Sequence, residues 1–162
     1  MPKLKPQEVK DYEFLDLNNK KIKLSELFEN KKDLILIHNM GASCAYCTMW
    51  ADGFNGVRRH LENRAGFAVV SNDPPTLQKK FAKSRGWKFK MVSAANNSFT
   101  KDMKMGTAQE PMPGVSTFFK QKNKIFLVGK DNFGPGDKYC SVWPFLDLLK
   151  TSSNRWEPKF VY

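Results

Sequence analysis

Apolar and polar positions change rhythm several times along this chain, and each rhythm writes a different element. Tyr12-Glu-Phe-Leu-Asp-Leu and Lys21-Ile-Lys-Leu alternate with a period near two, which predicts two short strands around a polar turn at Asn18-Asn19. Ser25-Glu-Leu-Phe reads as a short helical turn closed by Asn30-Lys-Lys. Leu34 to Ile37 is continuously apolar, the pattern of a strand buried on both faces. Beyond it the step lengthens to three and four, so that Cys47, Trp50, Phe54, Val57 and Leu61 share one face of a helix. Gly53 and Gly56 interrupt that helix at roughly 1 kcal/mol each relative to Ala, which predicts a kink or a close backbone approach there.

Gly66 to Ser71 is a second buried strand, and Asp73-Pro-Pro-Thr opens a helix to about Arg85 with Leu77, Phe81 and Ala82 on its apolar face. Met91-Val-Ser93 is expected as a short edge strand. Ala94 to Pro113 is expected as a loop with one helical turn near Phe99, in which Met103, Met105 and Met112 line a mobile segment. Val115 to Phe119 and Lys124 to Val128 form a hairpin about Gln121-Lys-Asn123, and Val142, Phe145, Leu146 and Leu149 predict a closing amphipathic helix. Alternating β and α units predict an α/β fold with a central mixed sheet, mainly parallel, flanked by helices; the late hairpin adds antiparallel strands. No repeat, low-complexity stretch or Gly/Ser linker divides the sequence, so one domain is expected over residues 1–162, with its core at about 10–150.

Composition narrows the class. With 162 residues, 41% hydrophobic and 13% aromatic, the chain can bury a core, and wholesale disorder is excluded. Met1-Pro-Lys-Leu-Lys-Pro lacks the apolar h-region of a secretory signal and no apolar run approaches membrane-spanning length, so a cytoplasmic chain without a membrane partner is expected. The net charge of +11 favours acidic partners such as nucleic acid or anionic lipid. Its lysines and arginines are dispersed, however, with concentrations only at Lys79-Lys80, Lys83 to Lys90 and Lys120 to Lys124. A solvated basic surface is the expectation, and nucleic acid is not an expected partner.

The chemistry lies in the three cysteines. An odd number argues against a structural disulfide framework and for a reducing compartment. Cys44-Ala-Tyr-Cys47 follows the first buried strand through a small-residue loop and opens the helix. Two thiols at that spacing close a redox disulfide or supply half a metal site. Cys47 falls on the buried stripe, whereas Cys44 sits at or before the first turn, where free N–H groups and the helix dipole favour a thiolate. Cys44 is therefore the candidate nucleophile and Cys47 the resolving thiol. Zinc is the rival, held by Cys44, Cys47 and Cys140 with His38 or His60. No second closely spaced ligand pair exists, so neither a metal nor a cofactor is expected. Cys140 reads as a small buried hydrophobe or a third redox thiol. Trp50, Phe54 and Trp87 read as core, Tyr46 as the rim of the site, and His60 as a packing or surface residue.

The order of elements around Cys-x-x-Cys resembles the thioredoxin fold, and the N-terminal β-hairpin extension resembles that of peroxiredoxin-like branches. More narrowly, Cys44-Ala-Tyr-Cys47, Trp50-Ala-Asp-Gly-Phe-Asn-Gly56, His60-Leu61, Gly86-Trp87-Lys-Phe and Gly114-Val-Ser-Thr-Phe-Phe119 resemble a bacterial thioredoxin-like family of unknown function, over roughly residues 10 to 150. Its members are often labelled as dithiol–disulfide isomerases or oxidoreductases. The resemblance implies disulfide exchange with a thiol or disulfide substrate, protein or small molecule, and re-reduction by a thiol system. It also implies a role for His38, which falls six residues before Cys44, where thioredoxin-like proteins place a buried acid that relays a proton to the resolving thiol. The bland alternative is a strand-end histidine satisfied by backbone.

Departures from the better-understood relatives are specific. Ser43 and Tyr46 stand where thioredoxins carry an aromatic residue and a proline. Ser116, after Val115, stands at the cis-proline of the loop that faces the dithiol and docks substrate; a non-proline cis bond costs roughly 3 kcal/mol, so a trans bond is expected. Ile37 and Gly41 replace the Pro and Thr or Ser that precede the peroxidatic cysteine of peroxiredoxins. That argues against their peroxidase chemistry, and a peroxide-reducing variant is the alternative to disulfide exchange.

Overall fold

The structure, a computed structural model, describes residues 3–162; Met1 and Pro2, the first of the residues read for a leader, lie outside the described residues. Strand β1 (Lys3–Val9) is followed by β2 (Glu13–Asp16) and β3 (Lys21–Lys23), then by the short helix α1 (Leu24–Leu27) and strand β4 (Asp33–His38). Helix α2 (Ala45–Arg64), β5 (Gly66–Ser71), α3 (Pro75–Arg85) and β6 (Lys90–Ser93) complete the β-α-β-α-β centre. The short helix α4 (Phe99–Asp102), the hairpin β7 (Gly114–Gln121) and β8 (Lys124–Asn132), and α5 (Val142–Asp147) close the chain. One eight-stranded mixed sheet results, in the order β1-β8-β7-β4-β5-β6-β2-β3. Its parallel centre is β4-β5-β6, and every other pairing is antiparallel. The expected thioredoxin-like α/β architecture is present, but the sheet is mainly antiparallel and not mainly parallel, because the β2–β3 hairpin extends it beside β6 and β7, β8 and β1 extend it antiparallel beside β4.

Strand alternation divides the interior into two layers. Leu34, Leu36, Ala68, Val70, Val92 and Phe118 face one layer with Phe14, Leu27 and Phe99, beneath α1 and α4. Ile37, Phe67, Val69, Met91 and Val115 face the other with Cys47, Trp50, Phe54, Ala82 and Trp143, beneath α2, α3 and α5. The dithiol helix thus covers the odd-numbered side of β4. Among the described residues no helix is long and apolar enough to cross a membrane.

Several expectations need correction, each for a physical reason. The sequence pattern gave no sign of β1, because its residues are mostly exposed and only Leu4 and Val9, too far apart to write a period, pack against the first layer. Met91 to Ser93 is an interior strand, since β2 pairs outside it. Met103 and Met105 are buried in the first layer and only Met112 is exposed, so the methionines do not line a mobile loop together. In α3 the inward face is Pro75, Gln78 and Ala82, and Leu77 is exposed; Gln78 is accepted in the interior because its Nε2 donates to Ser71 Oγ and the Val92 carbonyl. Neither Gly53 nor Gly56 marks a close approach, for a Cβ at either would meet no atom within 4 Å, and α2 runs unbroken past both. The stripe of α2 is buried only as far as Phe54, and Val57 is 47% exposed. Similarly α5 is short and turns Trp143 inward, leaving Phe145 70% exposed together with Leu149.

Candidate active site

Local sequence explains how the thiols are presented. After His38 the chain leaves β4 through residues 39–43, a loop with a fixed shape. Asn39 Oδ1 accepts from the Gly41 N–H at 2.7 Å, and the Cys44 N–H donates to the Gly41 carbonyl at 3.1 Å. Gly41 has φ +113°, a conformation that side chains resist, and a Cβ there would sit 2.8 Å from the Asp73 carboxylate. Asp73 Oδ2 in turn accepts from the Ala42 N–H at 2.7 Å. Asn39 and Asp73 therefore set the approach to the dithiol, and sequence reasoning missed both. A signal did exist: β4 and β5 are parallel neighbours, so residues just past their C-terminal ends are brought together.

Cys44 is the N-cap of the 20-residue helix α2, in extended conformation, and its Sγ accepts from the Cys47 N–H at 3.1 Å. Thr48 Oγ1 donates to the Cys44 carbonyl at 2.9 Å and secures the first turn. Cys44 is half-buried; Cys47 is 2% exposed, with its sulfur accepting from the Met40 N–H at 3.4 Å. The two thiols are free and titrate as a pair. A hydrogen bond from the Cys47 thiol, and then the Cys47 and Tyr46 N–H groups, bring Cys44 down to about 7 against the opposing effect of burial. The Cys47 thiol moves strongly upward because of that same hydrogen bond, its burial and the Cys44 charge. Tyr46 stands beside Trp50 and Trp143, with ring centroids at 6.2 and 6.3 Å.

His38 and Ser116 are brought together, but away from the thiols. His38 Nε2 shares a 2.8 Å hydrogen bond with Ser116 Oγ, and the imidazole stacks on Phe99 with centroids 5.5 Å apart. Phe99 belongs to the layer opposite Cys47. Burial, then the Lys130 charge, push His38 down to about 3, so it is neutral at pH 7. No hydrogen bond among the described residues joins His38 to either cysteine. The recorded partner of Nε2 is thus the Ser116 side chain, on the layer opposite Cys47. Ser116 lies inside β7 opposite Leu36 and is fully buried, where it braces His38. All peptide bonds among the described residues are trans, that before Ser116 included.

The remaining candidates separate. His60 is exposed on α2. Trp50, Phe54 and Trp87 are core. Cys140 is buried in the second layer, and burial raises its thiol. Among the described residues no three His, Cys, Asp or Glu side chains converge, so the Cys₃His arrangement of the zinc reading is not assembled.

Comparison with known proteins places this geometry. No curated protein sequence matches the chain. Among solved structures, the peroxidoxin BcpB of Mycobacterium tuberculosis is similar, with 25% identity, a TM-score of 0.62, and coverage of 80% of this chain and 86% of that one. The 1-Cys peroxiredoxin of Plasmodium falciparum, described as an antioxidant protein, superposes with TM-score 0.63 at 20% identity over 80% of this chain and 83% of its own. A peroxiredoxin-like protein of Aquifex aeolicus does so with TM-score 0.57 at 17% identity, covering 82% and 78%. These likenesses place the chain in the thioredoxin-like fold of peroxiredoxins. Residues 3–159 match the family described as bacterial protein of unknown function (DUF899), and the chain belongs to that family.

Proposed function

We propose that the chain is a thiol–disulfide oxidoreductase working through Cys44 and Cys47. The observation that carries this is the asymmetry of the pair: an accessible helix-capping thiol lowered to about 7 beside a buried one raised by it. Cys44 thiolate attacks one sulfur of a substrate disulfide; the substrate S–S bond breaks, a mixed disulfide forms, and the leaving thiolate takes a proton. Cys44 then has no charge and accepts no proton from Cys47. Two of the three causes holding Cys47 protonated vanish, and the Met40 N–H remains to meet the new thiolate. Cys47 attacks Cys44, releases the second substrate thiol and leaves a Cys44–Cys47 disulfide for an external thiol reductant to reopen. Such a cycle suits a reducing, cytoplasmic setting.

The likeness to peroxiredoxins supports a second reading with the same two sulfurs. Cys44 thiolate would attack a peroxide oxygen, break the O–O bond and become a sulfenic acid while an alcohol or water leaves. Cys47 would then expel water and form the same disulfide. Stopped-flow mixing of the reduced protein with a peptide disulfide, and separately with hydrogen peroxide, decides between them. The faster second-order reaction is expected with the disulfide, and Cys44→Ser should abolish both. A peroxide rate exceeding the disulfide rate assigns the second reading, and reaction with neither removes the function proposed here.

A further inference from the structure

A further cavity lies along the outer half of α2, and neither Cys44 nor Cys47 lines it. It is an open apolar groove of about 1000 Å³ between α2 and the face of β4, β7 and β8. One register row of the sheet forms its floor: Lys3 pairs with Gly129, Gly129 with Thr117, Thr117 with Ile35, and Ile35 with Phe67. All five line the groove. Phe54, Val57 and Leu61 of α2 form the wall. The apolar stripe of that helix thus continues past Phe54 along the groove, where its middle residue, Val57, is 47% exposed. The volume is that of a small-molecule site, and the lining has the apolar character of one.

Charge selects the occupant. Three charged residues besides Lys3 line the groove, and each is engaged among the described residues. Asp33 accepts from Arg64 at 2.7 Å, Lys138 pairs with Asp131 at 3.1 Å, and the Lys130 ammonium donates to the Met103 carbonyl at 3.1 Å. The Lys3 ammonium has no hydrogen bond or ion pair among the described residues, and it stands at one end of an otherwise apolar row. Gly129 keeps that row open between Lys3 and Thr117; a Cβ there would lie 2.6 Å from Thr117 Oγ1. A second copy of the chain is the less suited occupant, because each copy carries +11.

We infer that the groove binds a long-chain carboxylate, its alkyl chain over Ile35, Phe67, Val57 and Leu61 and its carboxylate at Lys3. The inference is independent of the dithiol chemistry. Isothermal titration of the full chain with dodecanoate tests it, against dodecyltrimethylammonium, which has the same alkyl chain and the opposite charge. Saturable binding of dodecanoate is expected, tighter than the cation by about tenfold, and weakened about fivefold by Lys3→Glu, as one exposed charge contact allows. Gly53→Leu fills the groove from a helical position with free space and improved helix propensity. It should abolish dodecanoate binding and leave the circular dichroism spectrum unchanged. Val57→Asp, at an exposed helix position, is the second variant and should do the same. Equal affinity for the two amphiphiles, no saturable binding, or binding retained in a folded variant of either kind overturns the inference. So does a dimer in sedimentation that Gly53→Leu dissociates, which would give the groove to a second copy.

Discussion

The rate at which iodoacetamide alkylates Cys44 is expected to rise with pH and reach half its maximum at about pH 7, well below the ordinary thiol value of 9.0. The thiolate is the reacting species, so the curve follows ionisation of this one sulfur. Cys47→Ala removes the largest cause, the hydrogen bond from the Cys47 thiol, while residue 47 keeps its N–H at the N-cap sulfur. The midpoint should move up by about one unit, and the thiolate present at pH 7 should fall roughly fivefold. Cys44→Ser should show no wave near pH 7 and exchange disulfides only at the background rate. A wild-type midpoint near 9, or one that Cys47→Ala leaves in place, would mean that the pair does not activate Cys44.

Acid should destabilise this protein well above the range in which carboxylates titrate. His38 titrates at its ordinary 6.5 when unfolded and at about 3 when folded, because its interior site disfavours the charged ring. Between those values the unfolded chain binds the proton and the folded chain does not. Stability is therefore full above pH 6.5 and falls as pH drops toward 3, with a slope approaching 1.4 kcal/mol per pH unit for one proton. Urea unfolding at pH 6.5 and pH 5 should differ by about 2 kcal/mol. His38→Gln, which keeps a hydrogen-bonding group for Ser116 and cannot take the proton, should flatten that window. Asp102 and Asp131, whose carboxyls are lowered mainly by hydrogen bonds from Ser98 and Tyr139 respectively, add acid sensitivity only below the ordinary carboxylate range. Equal slopes in wild type and His38→Gln between pH 6.5 and 5 would show that the imidazole is not held neutral by the fold.

The contrast between the two thiols and the histidine shows what a single sequence reveals. The roles of Cys44 and Cys47 were legible because one helix settles them: a thiol before the first turn is a cap, and one on the apolar stripe is buried. Strand alternation likewise showed that Leu34, Leu36 and His38 share a face. Alternation does not say which face a helix covers, and α2 covers the other one. The role expected of His38 came from the resemblance, through its place six residues before Cys44, and its neighbours are Ser116 and Phe99. Asp73 and Asn39 were invisible for a related reason. The Asp73 contact crosses from the end of β5 to the loop after β4, and the turn of Asn39 onto Gly41 is local but leaves no apolar period. Strand β1 escaped notice because an exposed edge strand is held by backbone bonds that leave no apolar period. Val57 and Phe145 show the converse case: the apolar period is written, and among the described residues both stay exposed.

Intact-mass and peptide analysis of Cys47→Ser after exposure to a peptide disulfide tests the exchange mechanism most directly. A stable mixed disulfide on Cys44, reopened by added thiol, with Cys140 unmodified, is the expected result. An adduct on Cys140, or no adduct on Cys44 while wild type still reduces the substrate, would contradict the assignment of Cys44 as the attacking thiol.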